Sequence, residues 1–158
     1  MNEQGAEAPG LLQGHYLEDL SVGQVFETGR YEMTPEAIKA FASKFDPQPF
    51  HTDEAAAEKS FFGGLVASGW HTGSATMRML VDSGFLADGF IGGGAEVTWP
   101  RATKPGDILR VRGEVLEIKP SRSKPDRGMV TAEVTTLNQR DEVVQRMVTT
   151  LVVHRRPA

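Results

Sequence analysis

Two prolines one residue apart, Pro47 and Pro49, stiffen a short segment that also carries Asp46 and His51. Proline fixes φ, lacks an N–H and pushes the residue before it towards extended geometry, so Asp46 and Gln48 are predicted to lie outside a helix. The whole segment is therefore predicted to be neither a helix nor a regular strand. It presents a carboxylate and an imidazole from a stiff loop, and the rest of the fold has to accommodate that loop.

The carboxylate and the imidazole allow two interpretations. Phe45 and Phe50 flank Asp46 and His51 and would shield them from water, an environment that shifts pKa values and suits a pair to proton transfer. The other interpretation is a surface turn, because aspartate and proline are common turn residues. The residue types alone slightly favour the turn.

Two short helices are predicted on either side of this segment. Residues 34–36, Thr-Pro-Glu, are typical of a helix start, with a capping hydroxyl, a proline in the first turn and an acid that complements the helix dipole. Apolar residues recur at helical spacing from there to Phe45, so this helix would deliver Asp46 at its C-terminal end. The second helix is predicted to start at residues 52–54 and to run through three alanines to about Lys59.

A longer helix is predicted over residues 67–86. Its first half is rich in small residues, including Gly69 and Gly73, and each glycine costs about 1 kcal/mol relative to alanine in a helix. Small residues are therefore expected where a sheet or a ligand comes close. Gly84, Gly89 and the glycine run 92–94 are predicted to end the helical region. An apolar stripe along this helix consists of Val66, Trp70, Met77, Val81 and Phe85. Trp70 and Met77 are interpreted as core residues.

The C-terminal half is predicted to consist of strands. Apolar and polar residues alternate there over long stretches, which are separated by turns that contain glycine or asparagine. Long strands joined by short turns favour an antiparallel meander. With one strand before the helices, the predicted strands are residues 24–31, 95–99, 108–118, 129–137 and 143–154.

The composition limits the classes of protein that this chain can belong to. Its 158 residues and 39% hydrophobic content suit one domain with a single core. A net charge of −4 argues against a general nucleic-acid binder, and the absence of cysteine excludes disulfides and thiolate chemistry. Residues 1–14 are predicted to be a flexible tail without leader character, followed by a domain over 15–158. No apolar run is long enough to span a bilayer, so we expect a cytoplasmic protein.

The segment around the two prolines resembles the signature of the MaoC-like dehydratases and (R)-specific enoyl-CoA hydratases. That motif runs Gly-Asp-x-Asn-Pro-x-His, and Asp46, Pro49 and His51 match it in type and spacing. Phe45 replaces the glycine, and Gln48 replaces the asparagine with a longer amide that has the same donors and acceptors. The similarity extends in element order from about residue 16 to residue 154.

The resemblance implies a single α+β hot-dog fold, in which an antiparallel sheet wraps around a long central helix. It implies a hydratase that adds water reversibly to a trans-2-enoyl thioester of coenzyme A. Asp46 and His51 would be the catalytic acid–base pair, Gln48 would orient them, and the Gly69 N–H would hold the thioester oxygen. No metal and no separate cofactor are expected, since coenzyme A is part of the substrate.

The resemblance also implies partners. The stretch 121–128 concentrates basic residues, and its Arg122 and Lys124 are candidates for contacts to the coenzyme A phosphates. Open sheet edges predict a homodimer or a larger assembly of dimers. Two other functions remain open: a hot-dog acyl-CoA thioesterase, and a module that binds acyl-CoA without catalysis. The spacing from Asp46 to His51 fits hydration better than thioester hydrolysis, and a pure binding module would need neither residue.

Overall fold

The computed structural model describes residues 14–158 and contains one five-stranded sheet and one long helix. The helices are a short 3-10 helix (Leu17–Asp19), α1 (Pro35–Phe45), α2 (Pro49–Thr52), α3 (Glu54–Glu58) and α4 (Gly69–Asp82). The strands are β1 (Val25–Glu32), β2 (Ile91–Thr98), β3 (Ile108–Pro120), β4 (Arg127–Leu137) and β5 (Val143–His154). The predicted tail falls outside the described residues except for Gly14. No helix in residues 14–158 is both long and apolar enough to cross a membrane.

The strands form one antiparallel sheet in the order β1-β3-β4-β5-β2. β3, β4 and β5 are the meander that the alternating pattern predicts, and β1 and β2 lie at the two edges. α4 packs against β1, β3 and β5. One strand before the central helix and four after it make the hot-dog arrangement that the resemblance implies, so the predicted α+β fold is confirmed.

The start of α1 forms as its sequence predicts. The Thr34 hydroxyl accepts a hydrogen bond from the Ala37 N–H at 3.2 Å, and Pro35 is the first helical residue. The helix ends at Phe45, and Asp46 leaves it with φ −152° and ψ 67°. The acid is therefore delivered at the end of a capped helix.

The second half of the proline segment differs from the prediction. Gln48 is extended, with φ −79° and ψ 144°, as expected of a residue before proline. Pro49 then opens α2, a single helical turn that contains His51, so the prediction of a wholly non-helical segment is wrong. A proline is accepted at the first position of a helix because its missing N–H has no helical partner there.

α4 is shorter than the predicted helix over 67–86. It begins at Gly69 after the N-cap Ser68, whose side chain accepts from the Trp70 N–H, and it ends at Asp82. Gly84, one of the glycines predicted to end the helical region, follows with φ +63°, a left-handed conformation that stops a helix. The glycine run does not end the helical region as predicted, because it lies inside β2, beside a shift in the register between Gly92 and Gly94.

The buried face of α4 is not the predicted apolar stripe. Trp70 is 64% exposed, Met77 45% and Val81 59%, so the interpretation of Trp70 and Met77 as core residues is wrong. The residues that α4 buries are His71, Thr72, Ala75, Thr76 and Met79. The buried threonines have hydrogen-bond partners outside the helix: the Thr72 hydroxyl bonds to the hydroxyl of Thr103, in the loop after β2, at 2.9 Å, and the Thr76 hydroxyl bonds to that of Thr136, in β4, at 2.7 Å.

Candidate active site

Asp46 and His51 converge on one point, because α1 ends at the first and α2 carries the second. Asp46 Oδ2 lies 3.3 Å from His51 Nε2, and their side chains are only 19% and 7% exposed. A surface turn would leave both groups in solvent. The geometry therefore excludes the surface turn that the residue types alone slightly favour.

A hydrogen bond to the backbone fixes the imidazole of His51. Its Nδ1 lies 2.7 Å from the carbonyl oxygen of Val66. A carbonyl only accepts hydrogen bonds, so Nδ1 carries a proton and donates it to this contact. Nε2 is then the nitrogen that gains or loses a proton, and it is the nitrogen that faces Asp46.

Asp46 is held in its ionised form. Burial raises the pKa of this carboxyl. Hydrogen bonds from the Ser68 hydroxyl and the Gln48 amide, together with the charge of His51, lower the pKa by more, so that it lies below the ordinary value. The Gln48 Nε2 donates to Asp46 Oδ1 at 2.7 Å. Gln48 thus orients the carboxylate and leaves Oδ2 free to face His51.

Gln48→Ala is expected to raise the pKa of Asp46, because it removes a donor to the charged carboxylate. A depressed carboxyl pKa contributes stability that is present above 3.8, the ordinary value, and is lost as the pH falls through the folded pKa. The variant should therefore lose less stability on acidification than the wild type. Titration of the Asp46 carboxyl carbon by NMR measures the pKa directly.

Gln24→Ala is the matched control. It removes a glutamine that accepts from the Ser21 N–H and should leave the pKa of Asp46 unchanged. An unaltered Asp46 pKa in Gln48→Ala would contradict the orienting role of Gln48.

The N-terminus of α4 supplies a hydrogen-bond donor beside this pair. Gly69 is the first residue of the helix, and within residues 14–158 its N–H has no hydrogen-bond partner. The Trp99 indole covers Gly69 so closely that a Cβ on this residue would lie 2.7 Å from the ring. A glycine is therefore required here by the packing of Trp99, whatever the N–H does.

A cleft of ≈ 370 Å³ contains all of these groups. Asp46, Gln48 and His51 lie on one side, and Gly69 lies at the start of the central helix. Arg101 also lines the cleft and forms an ion pair with Glu142 at 3.0 Å. Aromatic side chains that border the cleft are Phe50, Phe62, Trp70 and Trp99.

The structure does not bring Arg122 and Lys124 to this cleft within one protomer. Both lie in the turn between β3 and β4, beside the C-terminal end of β5, where the Arg155 N–H donates to the Asp126 carbonyl. The cleft is at the other end of β5, where Gln145 bonds to Trp99. At about 3.3 Å per residue, the ten residues from Gln145 to His154 separate the two ends by roughly 30 Å. The assignment of Arg122 and Lys124 to the coenzyme A phosphates stays a prediction without support from their placement in one chain.

Two further polar residues lie near the site. Ser68 is not among the predicted site residues, although its hydroxyl caps α4 and lowers the pKa of Asp46; a serine directly before the first residue of a helix is the signal that could identify it. His71 does not line the cleft. It is buried and stacked on Phe41 at 4.7 Å, its Nδ1 has no partner among the described residues, and burial lowers its pKa.

These features together define a class of protein. It is a hot-dog protein in which a half-buried carboxylate and a buried imidazole share a cleft with the free N-terminus of the central helix.

The particular family follows from the comparisons with known proteins. The family described as MaoC like domain matches residues 19–138, and the chain therefore belongs to this family. A MaoC-like dehydratase from Rhodospirillum rubrum has a solved structure with a TM-score of 0.89 and 58% sequence identity, over 92% of this chain and 100% of that one. The unliganded R-hydratase PhaJ1 from Pseudomonas aeruginosa has a TM-score of 0.74 and 25% identity, over 92% and 89% of the two chains. The uncharacterized protein YdeM of Bacillus subtilis is 34% identical over 127 residues, which is 79% of this chain and 89% of YdeM.

Proposed function

We propose that this protein is a hydratase that adds water reversibly to a trans-2-enoyl-CoA and gives a 3-hydroxyacyl-CoA. The observation that carries this proposal is the geometry of one pair: Asp46 Oδ2 lies 3.3 Å from His51 Nε2, and Nδ1 is tied to the Val66 carbonyl. Both groups face a cleft that also contains the unpartnered Gly69 N–H. The similarity to an R-hydratase supports the same reaction class.

The pair would activate one water molecule. The ionised Asp46 accepts a hydrogen bond from this water, and His51 Nε2 removes one of its protons as the water oxygen bonds to C3 of the enoyl group. The π electrons of the C2–C3 double bond move towards the thioester and give an enolate. The proton then passes to C2, so the water is divided between C3 and C2 and the pair returns to its starting state.

The N-terminus of α4 would stabilise the enolate. Negative charge develops on the thioester oxygen as C3 is attacked, and a fixed N–H stabilises it most where water is excluded. The Gly69 N–H is such a donor, and the positive end of the α4 dipole adds to it. We therefore assign the thioester oxygen to this N–H.

Coenzyme A would enter as part of the substrate and not as a resident cofactor. Arg101, at the wall of the cleft, is a cation that a phosphate of coenzyme A would reach from the same chain. Its ion pair with Glu142 is exposed on the arginine side, so exchanging the carboxylate for a phosphate costs little.

A second copy of the chain would cover β2. Seven of its eight residues are exposed, and an open edge strand pairs readily with its own copy about a twofold axis. The exposed Trp70, Met77 and Val81 add apolar surface that a partner would bury. Light scattering on the full chain should give the mass of two chains or a multiple of it, and a monomer at micromolar concentration would contradict this assembly.

The activity is tested with crotonyl-CoA and the full-length chain. Hydration removes the ultraviolet absorbance of the conjugated double bond without releasing a thiol, and the product should be one enantiomer of 3-hydroxybutyryl-CoA. Asp46→Asn should lose activity by about 10²–10⁴-fold, because the amide cannot carry the negative charge that polarises the water beside His51. Thiol release would instead identify a thioesterase, and tight binding of several enoyl-CoAs without turnover would identify a binding module.

A further inference from the structure

A second cavity lies between α4 and the sheet, apart from the catalytic cleft, and its wall includes exposed residues of β2. It has a volume of ≈ 300 Å³ and an almost wholly apolar wall, with Met77 and Leu80 of α4 facing Ala132 of β4 and Met147 of β5. None of the residues that line this apolar chamber lines the cleft that contains Asp46 and His51. The residues between the two therefore decide whether an acyl chain can pass from the cleft into the chamber.

One face of α4 runs from the cleft to the chamber. Gly69, Gly73 and Met77 are four residues apart and lie on the same side of the helix, about 6 Å from one to the next. Gly69 lines the cleft and Met77 lines the chamber. A chain that enters at Gly69 must therefore pass the level of Gly73 to reach the apolar chamber.

Trp99 and Gln145 lie against this face of α4, at Gly69 and at Gly73. Trp99 covers Gly69, and Gln145 Oε1 lies 3.4 Å from the position of a Cβ on Gly73. The Trp99 Nε1 donates to Gln145 Oε1 at 2.9 Å, and Gln145 Nε2 donates to Thr76 Oγ1 at 3.4 Å. Gln145 is 1% exposed.

The hydrogen bonds make this barrier costly to open. A buried amide that loses its hydrogen-bond partners still bears the cost of its desolvation. An alkyl chain that pushes Gln145 aside must therefore break the hydrogen bonds of Gln145 before it gains apolar contacts. The same chain would also have to move the Trp99 indole off Gly69. A hydrogen-bonded pair thus lies between the catalytic cleft and the apolar chamber.

We propose that the Trp99–Gln145 pair closes the inner end of the acyl site and restricts the enzyme to short enoyl groups. This inference rests on the proposed hydratase function and adds its specificity. Short chains such as crotonyl end in front of Trp99, beside Asp46 and His51. Long chains need the volume of the apolar chamber, which is present in the fold but closed to them.

The test compares kcat/KM for crotonyl-CoA and trans-2-decenoyl-CoA. The wild type should strongly favour crotonyl-CoA, and Trp99→Ala should raise the decenoyl to crotonyl ratio by at least about tenfold, the effect of a few methylene groups gaining an apolar pocket. Ala132→Leu fills the chamber, so alone it should leave the ratio unchanged, whereas the double variant Trp99→Ala/Ala132→Leu should lose the gain. Trp99→Leu, with a thermal melt beside it, serves if the alanine variant does not fold.

The possible failures are distinguishable. A wild type that hydrates neither substrate defeats the proposed function itself. A wild type that hydrates both equally well, or a Trp99→Ala variant that folds and turns over crotonyl-CoA with an unchanged ratio, overturns the barrier and leaves the hydratase standing. A gain in Trp99→Ala that persists when Ala132→Leu fills the chamber also overturns it, because the long chain would then lie elsewhere.

Discussion

His51→Asn should lower kcat for crotonyl-CoA by about 10²–10⁴-fold while the protein keeps most of its stability. The amide nitrogen of asparagine occupies nearly the position of the histidine Nδ1. It can donate to the Val66 carbonyl, which accepts from Nδ1 at 2.7 Å in the wild type. The titratable Nε2, which faces Asp46 at 3.3 Å, has no counterpart in asparagine. The variant therefore separates proton transfer from the structural role of the ring.

His51→Ala is the matched control for this separation. It should lose the same activity, and it should also be less stable than His51→Asn by about 1–3 kcal/mol, because it removes the donor to the carbonyl of Val66, a residue that is 3% exposed. Initial rates and urea unfolding measured on the same samples provide both comparisons. Substantial activity in His51→Asn would show that Nε2 takes no part in the chemistry.

Gly69→Pro should lose about 10²–10³-fold more of kcat than Gly69→Ala, because only proline removes the N–H assigned to the thioester oxygen. Both substitutions add a Cβ that would meet the Trp99 ring, so they share the steric cost. Proline is tolerated at the first position of a helix, and Ser68, with φ −55° and ψ 139°, already lies outside the α region that a following proline disfavours.

The comparison is made on kcat, since an interaction that strengthens in the transition state affects turnover more than substrate affinity. Thermal melts of Gly69→Pro and Gly69→Ala should agree closely, which shows that the backbone accepts proline. Equal kcat values in two folded variants would assign the glycine to the packing of Trp99 alone.

Much of the fold follows from local sequence rules. The Thr-Pro-Glu start of α1, the alternation in β3 to β5 and the effect of proline on Asp46 and Gln48 involve neighbours in the chain, so propensity and pattern are enough to predict them. The proximity of Asp46 and His51 is also local, because five positions separate them. The resemblance to a known motif adds the choice between a turn and a catalytic pair, which the residue types alone leave open.

The buried face of α4 could not be predicted in this way. Its partners are distant in sequence: Thr76 is satisfied by Thr136, and Thr72 by Thr103. A threonine is predicted to be exposed unless its buried hydrogen-bond partner is known. Trp70 and Met77, being large and apolar, are predicted to be core residues. The same limit applies to Arg122 and Lys124, because sequence gives their charge and not the end of the sheet at which they lie.

The position of Trp99 links two properties that evolution would otherwise adjust separately. The indole touches Gly69, whose N–H is assigned to the developing charge, and it bonds to Gln145, which closes the acyl site. Any replacement of this side chain alters the environment of the reacting carbonyl and the length of chain that fits, both at once. A lineage that moves to longer substrates through this residue must therefore acquire compensating changes around α4 to recover its turnover, and the order in which those mutations arise is constrained.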